Sequence, residues 1–296
     1  CSFLATGFKS ATYVERQEEL CEIAAHNFPV LNLNHINIKN EDGVTYLQVM
    51  SPVDSLFLDP ARRNEHGGKT VAISDCEPNV AELEGLLLSK ANRIMIKLSP
   101  MLDLSQALKE LPHTQEVHII SVNNECKELL LLLGQTAPEE IPVHCVNLST
   151  KGEQEKQLFV FTREQEQHSE CSYTDTLGNY LYEPNASLLK AGAFRSIAAA
   201  YSVKKLHPNS HLYTSDTQIE GFPGRTFRII NRCSLNKKEI KENLSDLKKA
   251  NITVRNFPAT VAELRKRIKL AEGGDTYLFA STLNDGQKIL IRCGKV

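Results

Sequence analysis

Short apolar runs alternate with stretches of helical spacing along the first half of this chain. Ala11-Thr12-Tyr13-Val14-Glu15 reads as a strand ending in an acid. Residues 16–28 place Leu20, Ile23, Ala24 and Phe28 on one face and turn Gln17, Glu18 and Glu22 outward, the spacing of an amphipathic helix. Ile36-Asn37-Ile38 is a second strand that runs into Asn40-Glu41-Asp42-Gly43, and 44–50 is a short helix. Residues 53–58 form a compact apolar run that stops at Asp59-Pro60-Ala61-Arg62-Arg63, as a buried strand of a parallel sheet does. The pattern continues with a helix near 79–90, a strand over 93–98 stopping at Ser99-Pro100, and a helix over 103–110. A strand over 117–122, a leucine-rich helix over 124–133 and strands over 143–148 and 158–161 complete it. Such alternation predicts an α/β fold, a parallel sheet with helices on both faces.

The polar run 163–170 is the best place for a domain boundary. Beyond it, Glu183-Pro184-Asn185 opens a helix through about residue 201, with proline in the permitted first turn. The last part reads strand 225–230, helix 236–249, strand 252–255, helix 260–269, then strands 276–281 and 288–292. Thr260-Val261-Ala262-Glu263 is a capping box, Asn236 with Glu239 repeats the arrangement, and Asn284-Asp285-Gly286-Gln287 suits a closing hairpin. The expected organisation is 1–165, 166–222 and 223–296, the last a small α+β module.

Composition narrows the class. The 296 residues are 41% hydrophobic and 24% charged, ordinary globular values, and no apolar run approaches the ~20 residues of a membrane span. Cys1-Ser2-Phe3-Leu4-Ala5 does not look like a signal peptide and reads as the middle of a domain. The 8 cysteines have neither a close pair nor zinc-finger spacing, which fits a reducing cytoplasm and no structural metal. His207 and His211 stand at i, i+4, but Pro208 between them opposes a helix. His26, His35, His113, His118 and His144 belong to no constellation and read as structural. Net charge is −2, but from residue 223 on there are 16 Lys+Arg against 7 Asp+Glu, leaving 18 against 29 before it. An acidic front and a basic tail suggest a polyanion partner.

Three successive strand ends carry acids: Glu15, then Glu41-Asp42, then Asp59. In open α/β sheets ligands bind beyond the carboxyl ends of the strands. There, one carboxylate can accept from ribose hydroxyls, a second from an adenine amine, while the third faces the reacting group. Arg62, Arg63 and Lys97 add cations at the same rim. This order resembles the class I S-adenosylmethionine-dependent methyltransferases. A closer likeness runs along nearly the whole chain: Tyr13-Val14-Glu15-Arg16-Gln17, Asp59–Arg63, Lys97-Leu98-Ser99-Pro100 and Asn124-Glu125-Cys126-Lys127. Tyr182-Glu183-Pro184-Asn185-Ala186, Asn251-Ile252-Thr253-Val254-Arg255-Asn256-Phe257-Pro258 and Gly273-Gly274-Asp275 extend it. Together they resemble a bacterial methyltransferase family with a ferredoxin-like insert and a C-terminal THUMP-like domain.

The resemblance implies a Rossmann-like sheet followed by the two small modules, and S-adenosylmethionine as cofactor. It implies cofactor contacts from Glu15 at the ribose, Asp42 on the adenine side, and Arg16, Glu41 and Asp59. A catalytic motif at Asp59, Pro60 and Arg62, and substrate contacts from Arg63, Lys97 and Ser99, follow from it too. The family's first strand and its glycine-rich loop would lie before Cys1. RNA, ribosomal or transfer, is the expected partner, met through Arg265, Lys266 and Lys269 on the helix over 260–269. With Val261, Leu264 and Ile268 facing the core, that spacing turns Arg265 away from it. Plainer readings stand beside these. Glu15 could cap the helix that follows, Asp42 could be a turn acid, and the basic run could be a solvated face. A non-catalytic RNA-binding protein on a methyltransferase scaffold is the alternative function. A dinucleotide oxidoreductase fits Glu15 but not Asp59–Arg63 or the basic tail.

Overall fold

The computed structural model describes residues 2–62, 72–150 and 156–296. The chain begins with α1 (Ser2–Ala5), β1 (Ala11–Glu15), α2 (Glu18–Val30), β2 (Ile36–Asn40), α3 (Gly43–Val49) and β3 (Val53–Leu58). A two-residue strand β4 (Ala61–Arg62), a 3-10 turn at Ile73–Asp75 and β5 (Cys76–Glu77) lead to α4 (Val80–Lys90), β6 (Ala91–Leu98) and α5 (Leu104–Glu110). Next come β7 (Thr114–Val122), β8 (Glu125–Leu133), β9 (Pro142–Leu148), β10 (Lys156–Thr162) and α6 (Arg163–His168). The later part holds β11 (Tyr180–Pro184), α7 (Ala186–Ala191), α8 (Ser196–Ala200), β12 (Lys204–Lys205) and β13 (Tyr213–Ser215). It ends with β14 (Gly224–Cys233), α9 (Lys237–Leu244), β15 (Asn251–Val254), α10 (Val261–Ile268), β16 (Thr276–Thr282) and β17 (Lys288–Lys295). No helix is long and apolar enough to cross a membrane among the described residues.

Strands β1 and β2 form a parallel pair of their own, and β4 and β5 a short antiparallel ribbon. Six strands make a larger sheet in the order β10-β9-β7-β8-β6-β3, and seven make another, β12-β13-β11-β14-β17-β16-β15. The chain resolves into two compact units: Cys1–Lys97 with Met101–Thr114 and Leu132–Ala137, and Leu98–Pro100 with Gln115–Leu131 and Pro138–Val296.

In the first unit, α2 sets Ala24 and Phe28 against Leu33, Tyr13, Ile36 and Ile38, which anchors it on β1 and β2. β3 pairs with β6 in parallel, Leu58 opposite Ile96. Their burial differs, and β3 is not the buried strand that its apolar run suggested. Ala91, Ile94 and Ile96 of β6 are buried, whereas β1, β2 and β3 contain no fully buried residue. Parallel strands normally lie covered on both faces. β1 and β3 also each keep one edge without a strand partner among the described residues.

Two expectations are corrected further along the chain. Residues 124–133 are not a helix but β8, in which Leu129, Leu131 and Leu133 are buried and Leu130 and Leu132 half-buried. Five consecutive leucines carry no period by themselves. What decides is Asn123-Asn124, both left-handed at φ 50° and 64°, a two-residue link that folds β8 straight back on β7. The larger sheet is accordingly mixed: β3–β6 and β7–β9 run parallel, β9–β10 antiparallel. The helix expected from Glu183 through residue 201 is interrupted. Pro184 ends β11, Asn185 caps α7, and Gly192 at φ 76° turns the chain before α8. The polar run from residue 163 holds α6, with a Thr162–Gln165 capping box, and Glu166 accepts from the amides of Phe194, Arg195 and Ser196. Around Leu181, Phe227, Phe279 and Ile291 lies one core, and around Leu244, Leu264, Leu278 and Leu290 another, with the seven-stranded sheet contributing to both.

Candidate active site and basic face

The parallel register of β3 and β6 continues one residue past the strand, so Asp59 stands beside Lys97. Their ion pair measures 2.5 Å from Nζ to Oδ2, with the side chains 31% and 52% exposed for Lys97 and Asp59. Pro60 then directs the chain into β4, where Ala61 faces Glu77 and Arg62 faces Cys76 across the ribbon. As far as Arg62 the motif thus runs into a paired strand. Arg63 lies outside the described residues. Glu77 also takes Arg16 Nη1 at 3.1 Å, which ties the residue after β1 to the ribbon that carries Ala61 and Arg62.

The ends of β1 and β2 are fixed together. The Glu15 carbonyl accepts from Asn40 Nδ2 at 3.0 Å and from the Glu41 amide at 3.1 Å. One Glu15 carboxylate oxygen accepts from the Gln17 amide at 2.8 Å, at the start of α2. The Tyr13 hydroxyl also bonds this carboxylate, and burial first, then the Glu15 charge, pushes its pKa up. Glu15 therefore supports the helix start while standing at the carboxyl end of a parallel strand. Nothing in the sequence pointed to Asn40 or Glu77, whose roles depend on contacts between distant segments.

The two acids after β2 differ. Asp42 is the N-cap of α3, and its Oδ1 accepts from the amides of Val44 at 3.0 Å and Thr45 at 2.9 Å and from the Thr45 hydroxyl at 3.2 Å. These bonds, the Thr45 amide foremost, hold the carboxyl below its usual pKa, and the nearby Arg16 charge adds to them. The Glu41 carboxylate makes no such capping bond among the described residues. A carboxyl whose pKa is lowered by folding contributes its full stability above its unfolded value near ~4, and loses it as pH falls through the folded value. Asp42→Ala should cost about 1 kcal/mol at neutral pH, with the deficit shrinking in acid. Equal denaturation midpoints at pH 7 would remove this capping role.

Ser99, half-buried just after β6, belongs to the second unit. In the same unit, the capping box at Thr260 forms as expected: Thr260 Oγ1 accepts from the Glu263 amide and the Glu263 carboxylate takes the Thr260 amide. The Asn236 box does not, because Glu239 accepts from Ser234 instead. Arg265 also departs from expectation. Its side chain is only 20% exposed, and Nη1 donates to the Ala250 carbonyl at 3.2 Å. Val261, expected in the core, is exposed, while Lys266 and Lys269 are exposed as expected. Lys269 closes α10 in the left-handed conformation at φ 61°.

Comparison with known proteins places these parts. Residues 180–223 match a family model described as a ferredoxin-like domain, and residues 224–295 one described as THUMP domain-like. The chain superposes on a crystal structure described as that of a "putative methyltransferase from Porphyromonas gingivalis W83", with a TM-score of 0.88 and 37% identity. That match covers 99% of this chain and 73% of the other. A search of curated proteins returned no match.

Proposed function

The chain belongs to the family of the Porphyromonas gingivalis protein, and from that premise we propose that it acts as an S-adenosylmethionine-dependent RNA methyltransferase. The observation that carries the reading is the row of carboxylates at the carboxyl ends of parallel strands: Glu15 on β1, Glu41 and Asp42 after β2, Asp59 after β3. The donor set fits a nucleoside cofactor. Glu15, steadied by Gln17 and Tyr13, would take the ribose hydroxyls, with Arg16 beside it. Glu41 is the better candidate for the adenine side, since Asp42 Oδ1 is occupied in capping. Bound there, the cofactor would supply a methyl group on a sulfonium centre.

The chain's own task is positioning, which provides much of the rate in such transfers. Asp59 would accept a hydrogen bond from the acceptor group, held in place by Lys97, with Pro60 setting the direction of the chain. Arg62, Arg63 and Ser99 are proposed substrate contacts by their place after β3 and β6. The basic module after residue 223 would hold RNA through phosphates, which give affinity without sequence choice. Lys266 and Lys269 would act directly and Arg265 from its place against Ala250. The proposed organisation remains 1–165 for the methyltransferase domain, 166–222 and 223–296 for the small modules, in a reducing cytoplasm where the cysteines stay as free thiols.

The test is mass analysis of RNA from cells lacking the protein and from cells complemented with wild type or Asp59→Ala. One methylated nucleoside should disappear on deletion and return only with wild type. In binding assays, replacing Lys266 and Lys269 should flatten the log–log salt dependence by about 0.7 for each phosphate no longer neutralised on a single strand. RNA binding with no change in any methylated nucleoside would favour the non-catalytic alternative.

A further inference from the structure

We propose that Glu116, His118 and His144 form a binding site for one first-row divalent metal ion of the zinc type. The site arises from strand geometry. Along β7, Val117, Ile119 and Ser121 are fully buried, so Glu116 and His118, two residues apart, project from the opposite face. β9 runs beside β7 in parallel with His144 directly opposite His118, and its neighbours Val143 and Cys145 are buried. Three ligand-bearing side chains therefore share one face although 26 residues separate the histidines in sequence. That separation is why the sequence shows no constellation.

Their polar atoms converge. Glu116 Oε2 lies 3.1 Å from His118 Nε2 and 3.8 Å from His144 Nε2. The imidazole rings stack with centroids 4.4 Å apart and planes 9° from parallel, and all three ligand atoms fall within 4.8 Å of one another. Ligands about 2.0–2.2 Å from a tetrahedral zinc stand about 3.4 Å apart, so these two separations straddle the required one. Two nitrogens and one carboxylate oxygen suit a borderline ion such as zinc better than calcium or magnesium, which take oxygen shells. The three side chains are 27%, 25% and 44% exposed for His118, His144 and Glu116, which leaves a path for the ion and room for water as fourth ligand. The strands place the three side chains on one face, and a turn of the stacked rings out of their near-parallel planes would bring both Nε2 lone pairs to one ion, so binding would clip β7 to β9.

The full chain, stripped with chelator, should bind one equivalent of Zn²⁺ in equilibrium dialysis. Co²⁺ should give visible bands of nitrogen and oxygen ligation without a thiolate charge-transfer band. His118→Ala, His144→Ala and Glu116→Gln should each weaken Zn²⁺ binding at least tenfold, and His118→Gln and His144→Gln serve where an alanine variant fails to fold by circular dichroism. Absence of stoichiometric binding would overturn the site. So would undiminished binding in the folded variants, or a thiolate band showing that the cysteines hold the ion. In any of these cases the group is a His118–Glu116 hydrogen bond with His144 stacked on His118.

Discussion

Extending the chain upstream of Cys1 should turn weak or undetectable S-adenosylhomocysteine binding into binding in the micromolar range. From millimolar to micromolar is a gain of about 4 kcal/mol, well within reach of calorimetry. The open strand edges are the reason. In doubly wound sheets with strand order 3-2-1-4-5, the first strand lies between the second and the fourth. If β1 and β2 are the second and third strands and β3 and β6 the fourth and fifth, the open edges of β1 and β3 are the two that the first strand would join. The shallow burial of β1, β2 and β3 agrees, as do Val53 and Phe57 of β3, 41% and 39% exposed. The share of the Porphyromonas gingivalis chain outside the match leaves length for such a segment. We infer that it brings the glycine-rich loop for the methionine end of the cofactor, and that Glu15 then completes the ribose end. In the extended protein, Glu15→Ala should cost roughly 1.5–3 kcal/mol of cofactor affinity, the value of hydrogen bonds to a charged group. Tight binding by residues 1–296 alone would overturn the placement of a further strand between β1 and β3, and unchanged affinity in Glu15→Ala would overturn the ribose assignment.

Local patterns read correctly where an apolar run or an apolar spacing stands out and its ends are marked. α2, α4, α5 and α10 lie where apolar spacing and capping residues put them, as do β1, β3 and β6. The carboxylates at strand ends were legible for the same reason: an apolar run that stops at an acid can be seen in the sequence. β8 was not, because Leu129 to Leu133 fit either period and the outcome hung on two left-handed asparagines. Arg265 shows a different limit. Helical spacing gives a direction from the helix axis, but the Ala250 carbonyl that captures its guanidinium comes from the residue before β15. His118 and His144 meet only because β9 pairs with β7 in a particular register. What a single element decides is visible along the chain; what register decides is not.

Glu183→Ala should destabilise the protein by about 3 kcal/mol, the low end for breaking a buried ion pair. Glu183 is 1% exposed and sits in β11 opposite Arg225 of β14, where the ferredoxin-like match ends and the THUMP-like match begins. Its Oε2 takes Arg225 Nε at 2.8 Å and also Arg225 Nη2, and its Oε1 takes Arg255 Nη2 at 2.9 Å. Arg225 and Arg255 are 41% and 36% exposed, so without the carboxylate they keep part of their hydration, which argues for the low end. Arg225→Ala leaves the buried carboxylate paired with Arg255 and should cost as much, although the side chain removed lies nearer the surface. The backbone beside the pair cannot adjust freely, because a Cβ on Gly224 would stand 2.1 Å from the Glu183 carbonyl oxygen. Both modules share the seven-stranded sheet across this seam, so the loss should appear as a lower urea midpoint for the whole of that sheet. Glu183→Ala within about 0.5 kcal/mol of wild type, the range of ordinary surface substitutions, would show that the seam is held by β11–β14 pairing and packing alone.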